Sequence, residues 1–321
     1  MFFIRDSEDN KLKKEIGKRS REIVSYLSVD LGERTLRKYD NLNRARSYIL
    51  DYFSDKCPAA HISEETYIVQ DREVSNIVAE IPGYEQPERI ILIGAHYDTV
   101  EDTPGADDNA TAIAALLEIY RMLAQQRHKK TIRFVAFTLE EPPFFSTDQM
   151  GSMKYAEICR AREEQIELMI AFDMLGFANK KVRQEFPFSS IKGDFPPTGT
   201  YLTVVSFPSA AEFTYLWKKI YNGLTRDRIY EIIGPASIPG IALSDHSSFA
   251  KKGFPAILLT DTAFYRNKNY HAPTDTIDTI NFKFLTANII AIARTAHELL
   301  NMQPIGKQEE KRHGMQQEEK P

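Results

Sequence analysis

The run Arg89-Ile-Ile-Leu-Ile-Gly-Ala95 limits this chain's fold more than any other stretch. Its apolar side chains occupy consecutive positions, and successive side chains on a strand point to opposite faces, so both faces must be covered. A strand inside a sheet sandwiched between helix layers meets that demand. The runs 131–138, 168–172, 201–207 and 255–260 read the same way. Between them lie helical stretches at 109–126, 149–162, 210–224, 247–252 and 282–300, and a further strand at 228–233.

Before this alternation, Ile16, Ile23, Val24 and Leu27, then Ala45, Tyr48, Ile49 and Tyr52, recur at helical spacing. Two helices are predicted there, the second capped by Asp40 or Asn41. The β-rich runs 66–69 and 75–81, the latter stopped by Pro82-Gly83, read as antiparallel neighbours at a sheet edge. The expected fold is therefore α/β, three layers in α/β/α order, with a central mixed, mostly parallel sheet. Residues 1–304 are expected to form one domain, with 1–60 a helical part packed on it. Residues 305–321, rich in Lys, Glu and Gln, predict a flexible tail. Residues 178–199 predict a long loop near the site.

Lys plus Arg number 41 and Asp plus Glu 45, for a net charge of −4. With no basic stretch interleaved with aromatics, this argues against a nucleic-acid partner. Two distant cysteines, Cys57 and Cys159, do not make a disulfide framework. No apolar run approaches the roughly 18 residues that span a membrane, and the N-terminus lacks the apolar core of a secretory signal. Asn109-Ala-Thr111 matches a glycosylation sequon, yet a glycan there would obstruct the site described next. A cytoplasmic protein is expected, with no membrane partner. Oligomeric state leaves no trace in the sequence.

Hard donors gather just past the ends of the β-rich runs, where open α/β sheets place their ligands. His96 and Asp98 follow the first run and, two apart, point the same way. A carboxylate behind a metal-bound imidazole fixes its tautomer, so one can bind while the other orients. Asp107-Asp108 precede a helix; capping would explain one of them, and two exceed what capping needs. One of the pair could hold two cations with one oxygen each. Glu140-Glu141 end the next run, so one can coordinate a metal while the other faces substrate and moves a proton. Asp173 follows the run 168–172, with Gly176 allowing a tight turn. His271 is followed by Asp275, a candidate partner for its ring. Two imidazoles and several carboxylates without a thiolate suit zinc, manganese or cobalt. Asp245-His246-Ser247 cannot be a serine relay, because consecutive side chains point apart.

These five separated motifs, in this order, resemble those of the co-catalytic di-zinc aminopeptidases typified by bacterial leucyl aminopeptidase and aminopeptidase Y. The resemblance covers about residues 74–300 and implies a zinc-exopeptidase-like fold with two divalent metal ions, zinc being the metal expected. It implies that His96 and Asp173 hold one metal, Glu141 and His271 the other, and that Asp108 bridges them. Glu140 is similar to the family's general base, Asp98 to the partner of His96, and Tyr270 to a tyrosine that hydrogen-bonds the developing oxyanion. Met174 resembles a residue lining the pocket for the first side chain, and Ser244 to Phe249 a segment supporting that pocket. After Glu141 the chain departs from the family's short Gly/Leu run with Pro142-Pro143-Phe144-Phe145, which bears on pocket shape rather than on the metals.

The reading that follows is a metallo-aminopeptidase, a hydrolase acting on peptides with a free N-terminus by two-metal activation of water with a Glu general base. A glutaminyl-cyclase-like N-terminal Gln cyclotransferase, with one zinc, is the nearest alternative. A catalytically silent interaction domain of the same fold is the other, although such domains tend to lose ligands and this chain has lost none.

Overall fold

The structure is a computed structural model that describes residues 6–303 except 58, 189–191 and 194. The tail expected at 305–321 lies outside the described residues. An eight-stranded sheet forms the centre, in the order β1 (His61–Val69), β2 (Arg72–Ile81), β4 (Lys130–Phe137), β3 (Gln86–His96), β5 (Gln165–Phe172), β10 (Ala256–Thr260), β8 (Leu202–Ser206) and β9 (Ile229–Ile233). Strand β3 runs parallel to both β4 and β5, β10 parallel to β5, and β9 parallel to β8. The pairs β1–β2, β2–β4 and β8–β10 are antiparallel. The sheet is mixed, with a parallel centre and the antiparallel edge pair that the sequence predicts.

Both faces of β3 are covered, as its composition requires. Ile91, Ile93 and Ala95 enter one core with α1 (Asp6–Ser25), α2 (Tyr39–Lys56), α3 (Ala112–Leu123), α5 (Ala211–Leu224) and α7 (Phe282–Asn301). Ile90 and Leu92 enter the other with Tyr155, Ala156 and Cys159 of α4 (Gly151–Ala161) and Phe249 of α6 (His246–Lys251). Burial of two apolar faces from one strand is what makes a three-layer arrangement the stable answer.

Three local expectations differ. Helix α2 starts at Tyr39 with no side-chain cap; Asn41 instead donates to the Leu31 and Glu33 carbonyls at 2.7 and 3.1 Å, holding the loop before it. Residues 178–199 are not all loop, since β6 (Asn179–Arg183) pairs with β7 (Thr198–Gly199). Regular α-helix begins at Ala112 rather than Asn109, because Asp108 and Asn109 have non-helical dihedrals.

The part that positions the site is Arg34, which the sequence reading passed over. Its guanidinium is fully buried and donates to the carbonyls of Leu27, Gly32, Tyr97, Pro104 and Gly105 at 2.8–3.0 Å. Burial pulls its pKa down to about 10, against the opposing pull of Asp98, Asp275, Asp108 and Glu141, so it stays charged at neutral pH. It thereby staples the N-terminal part to the segments that carry Asp98 and Asp107-Asp108. Arg34→Met is expected to leave several buried carbonyls unpaired and to cost on the order of 3 kcal/mol. Urea unfolding of wild type and variant, both freed of metal, measures this; equal midpoints would refute it.

Candidate metal centre

Strands β3, β4 and β5 end on the same side of the sheet, and each delivers one part of the site. His96 is the last residue of β3, Glu140 and Glu141 follow β4, and Asp173 follows β5. Asp108 stands before α3, and Tyr270-His271 come from the chain between β10 and α7. The sheet's order reverses at β3, since its successors lie on opposite sides of it, and open sheets leave a crevice at such a point.

Asp108 lies between the two imidazoles. Its Oδ1 is 3.5 Å from His96 Nε2 and its Oδ2 is 3.3 Å from His271 Nε2. His271 Nε2 is also 3.3 Å from Glu141 Oε2, while His96 Nε2 is 3.8 Å from Asp173 Oδ1 and 3.9 Å from Glu140 Oε2. Behind His96, Asp98 Oδ1 lies 3.5 Å from Nδ1. The same carboxylate accepts the backbone N–H groups of Glu140 and Glu141, one on each oxygen, both at 3.0 Å. One side chain thus sets both the back of an imidazole and the backbone that aims the glutamate pair. The Tyr270 ring stacks on His271 with centroids 3.7 Å apart. All eight residues singled out in the sequence lie around this one spot.

Donor atoms of His96, Asp108 and Asp173 lie within 4.8 Å of one another, and so do those of Asp108, Glu141 and His271. A third such group joins His96, Glu140 and Glu141. Both ring nitrogens of His96 and Oε1 of Glu141 are buried without a hydrogen-bond partner among the described residues. Buried polar atoms are nearly always satisfied. Nitrogen and oxygen donors orphaned together, at this spacing, fit divalent cations.

The electrostatics agree. Burial lifts Glu140 well above the usual carboxylate range, with Glu141 and Asp173 adding to the effect and His96 opposing it. Glu141 is pushed up to about 8 by burial and by Asp108. Burial pulls His271 down, yet its hydrogen bonds to Asp108 and Glu141 outweigh it and bring it to about 10. Protons gather on this cluster because it holds more negative charge than the cleft can solvate.

The two carboxylates of Asp107-Asp108 have separate tasks. Asp107 turns away from the imidazoles and accepts from the Gly176 N–H at 2.9 Å, the Asn267 side chain at 2.9 Å and the Thr111 hydroxyl at 3.2 Å. Gly176 is needed for close approach rather than for a tight turn: a Cβ there would lie 2.5 Å from Thr111 Cγ2. Asp275 is not a partner of the His271 ring. It accepts the backbone N–H groups of Asp107 (3.0 and 3.2 Å) and Asp108 (3.0 Å), and so fixes the segment carrying Asp108. Asn109 is buried with its amide spent on Phe172 O and Met174 N, which leaves the sequon no free acceptor. Met174 is fully buried and is absent from the walls of the two cavities that touch Asp173. Asp245, which the sequence reading placed only in a pocket-supporting segment with no catalytic role, is fully buried; burial brings its pKa to about 7, with His96 opposing and Asp173 and Asp98 reinforcing. Its acidic neighbours Asp173 and Asp98 are distant in the chain, so its local pattern, Asp245-His246-Ser247, did not point to them.

Two cavities meet at the site. One is lined by Asp108, Glu140, Glu141, Phe145, Asp173, Leu243, Tyr270 and His271. The other shares Asp173, Leu243 and Tyr270 with it and is otherwise walled largely by apolar side chains such as Val205, Ile232, Ile241 and Leu258.

A family model described as peptidase family M28 matches residues 76–296, well over half of the chain. The chain belongs to peptidase family M28. Among M28-like relatives, the uncharacterized protein YfbL of Escherichia coli (strain K12) is 36% identical over 269 residues, covering 81% of each chain. Leucine aminopeptidase 2 of Trichophyton equinum is 26% identical over 251 residues, covering 72% of this chain and 46% of that protein. The M28 chain thus spans about half the length of the leucine aminopeptidase it matches. Among solved structures, the LapA aminopeptidase of Legionella pneumophila aligns with a TM-score of 0.70 at 19% identity, over 93% of this chain and 76% of that one. The glutaminyl cyclase of Porphyromonas gingivalis aligns at 0.65 and 20%, over 88% and 98%. At these identities the likeness is one of fold. No described helix is long and apolar enough to cross a membrane.

The raised groups give a signed expectation for stability. Glu141, Asp245 and His271 all titrate higher in the folded, metal-free chain than in the unfolded chain. Their contribution is fully present at low pH and is lost as pH rises through their folded values. Asp108, held below its ordinary value by His271 and His96 against burial, acts oppositely, but only in strong acid. The melting temperature of metal-stripped protein should therefore fall between about pH 6 and about pH 9, and two equivalents of zinc should remove much of that slope. Parallel slopes with and without zinc would contradict it.

Proposed function

We propose that this M28 chain is a metal-dependent aminopeptidase that removes an apolar N-terminal residue from peptides. His96 and Asp173 would hold one divalent ion, Glu141 and His271 a second, and Asp108 both, with zinc the metal that this donor set suits. The observation that carries the reading is the division of Asp108, whose two oxygens face two different imidazoles 3.5 and 3.3 Å away.

Two such ions, once bound, polarise a scissile carbonyl and activate the attacking water. Glu140 is the proton carrier: it is buried, its pKa is raised, and it is backed by Asp98 through its own N–H. A carboxylate tuned upward can take a proton at neutral pH and return it to the leaving amine. Tyr270, at the edge of both cavities, would donate to the oxygen on which charge develops. The apolar cavity beside Asp173 is where the first side chain would lie, and Leu243 and Tyr270 form its threshold. Residues 1–304 are read as one working unit, because Arg34 joins the N-terminal part to the site.

Glu140→Gln is expected to lower kcat by at least about a thousandfold with metal content unchanged, whereas Asp108→Ala should lose both metal and activity. Leucyl-, acetyl-leucyl- and glutaminyl-nitroanilides, assayed with and without chelator, test the class. Cleavage of leucyl substrate alone, abolished by chelator and restored by zinc, is the expected result. Faster cleavage of the acetylated substrate, or cyclisation of N-terminal Gln in its place, would overturn it.

A further inference from the structure

We propose that Arg72 receives the C-terminal carboxylate of short peptide substrates, in a cleft that continues the metal centre beyond Glu141 and Pro142. This rests on the aminopeptidase reading and adds a length and charge requirement to it.

The cleft is a cavity of about 350 Å³. It shares Glu141 and Pro142 with the site cavity, so a chain whose first side chain lies in the apolar cavity would leave in this direction. Phe144 and Phe145, adjacent in the insertion after Glu141, line the cleft and the site cavity respectively. The outer wall of the cleft is formed by Thr35, Leu36, Arg37, Gln70 and Arg72, all of them outside residues 76–296. It therefore belongs to this chain's N-terminal part rather than to the segment matched to the family.

Two cations stand in that wall, and they differ. Arg37 is neutralised by Glu33, Asp102 and, at 3.9 Å, Glu101. Arg72 has no carboxylate within 4.0 Å among the described residues. Its guanidinium lies 4.8 Å from the centroid of the Tyr39 ring, and Tyr39 Oη donates to the Glu73 carbonyl at 2.6 Å, which pins that ring. Gln70 and Asp71, both at positive φ, close the tight β1–β2 turn, so the backbone beneath Arg72 is fixed as well. A guanidinium held by one face keeps its N–H edge for a planar anion, and a carboxylate matches that fork. The other acidic groups of the cleft, Asp98, Glu101 and Glu141, are bound to Arg37, to backbone donors or to the metal centre. Arg72 is therefore the cation left for a ligand. Because the anchor sits at a fixed place relative to the scissile bond, only one peptide length sets a carboxylate on it.

The test is a series of Leu-Ala, Leu-Ala-Ala and Leu-Ala-Ala-Ala, each as free acid and as C-terminal amide, with zinc-loaded wild type, Arg72→Gln and Arg72→Lys. For wild type, kcat/KM for the acid is expected to exceed that for the amide by about tenfold at one length of the series. The ratio should fall to about one in Arg72→Gln and be partly regained in Arg72→Lys. Calorimetric binding of the same peptides to Glu140→Gln and to Glu140→Gln/Arg72→Gln reads the anchor without turnover, and should show the same ratio and its loss. Equal acid and amide at every length, or a preference that survives Arg72→Gln, overturns the anchor. Failure of wild type to cut any of the peptides, with the acid preference still present in binding, overturns the aminopeptidase reading and leaves the anchor standing.

Discussion

The arrangement depends on keeping many carboxylates in one largely buried cleft. Asp98, Asp108, Glu140, Glu141, Asp173 and Asp245 all lie around two imidazoles, and most are buried. Like charges so placed repel, and the low dielectric magnifies it. Two different solutions coexist. Carboxylates that shape the site are tied to backbone donors: Asp98 to the N–H groups of Glu140 and Glu141, and Asp275 to those of Asp107 and Asp108. Carboxylates that face its centre, above all Glu141 and Asp108, are left to imidazoles and to whatever cation enters.

That division explains why the site comes in acidic pairs. In Asp107-Asp108 one residue anchors Gly176 and Asn267 while its neighbour reaches both imidazoles. In Glu140-Glu141 one points toward His96 and its neighbour toward His271. Consecutive residues at a strand end diverge, so each pair serves two directions from one short segment. Leu139, Met174 and His271, each at or beside a site residue, hold positive φ. Such strain persists only where the surroundings over-determine it.

Much of this was legible in the chain, and for a local reason. The strands are short apolar runs and the helices carry a clear period, so alternation alone gave the layers and the antiparallel edge. The candidate ligands sit at strand ends or in short motifs, where residue types suit metal chemistry, whereas the choice within each acidic pair and the part given to Tyr270 came from the family resemblance. Two of the misreadings share a cause: each concerned which of two possible partners a side chain takes. Asp275, four residues after His271, was read as its partner, yet the fold brings it against the backbone of residue 107. Asn41 was read as a cap, yet its amide reaches Leu31 and Glu33 instead. Arg34 carried no signal, because a lone arginine in a polar stretch reads as solvated until five carbonyls close around it.

The sequence by itself determined the layer order, the strand ends at which the candidate ligands stand, and the donor types available there. These follow from periodicity and residue chemistry, which are properties of neighbours in the chain. Only the tertiary structure decided that one oxygen of Asp108 faces each imidazole, that Asp98 serves the glutamate backbone as well as His96, and that Arg72 looks into the same cleft as Glu141. Those relations join residues far apart in the chain, and their geometry is fixed by how the helices and strands pack, which no local pattern encodes.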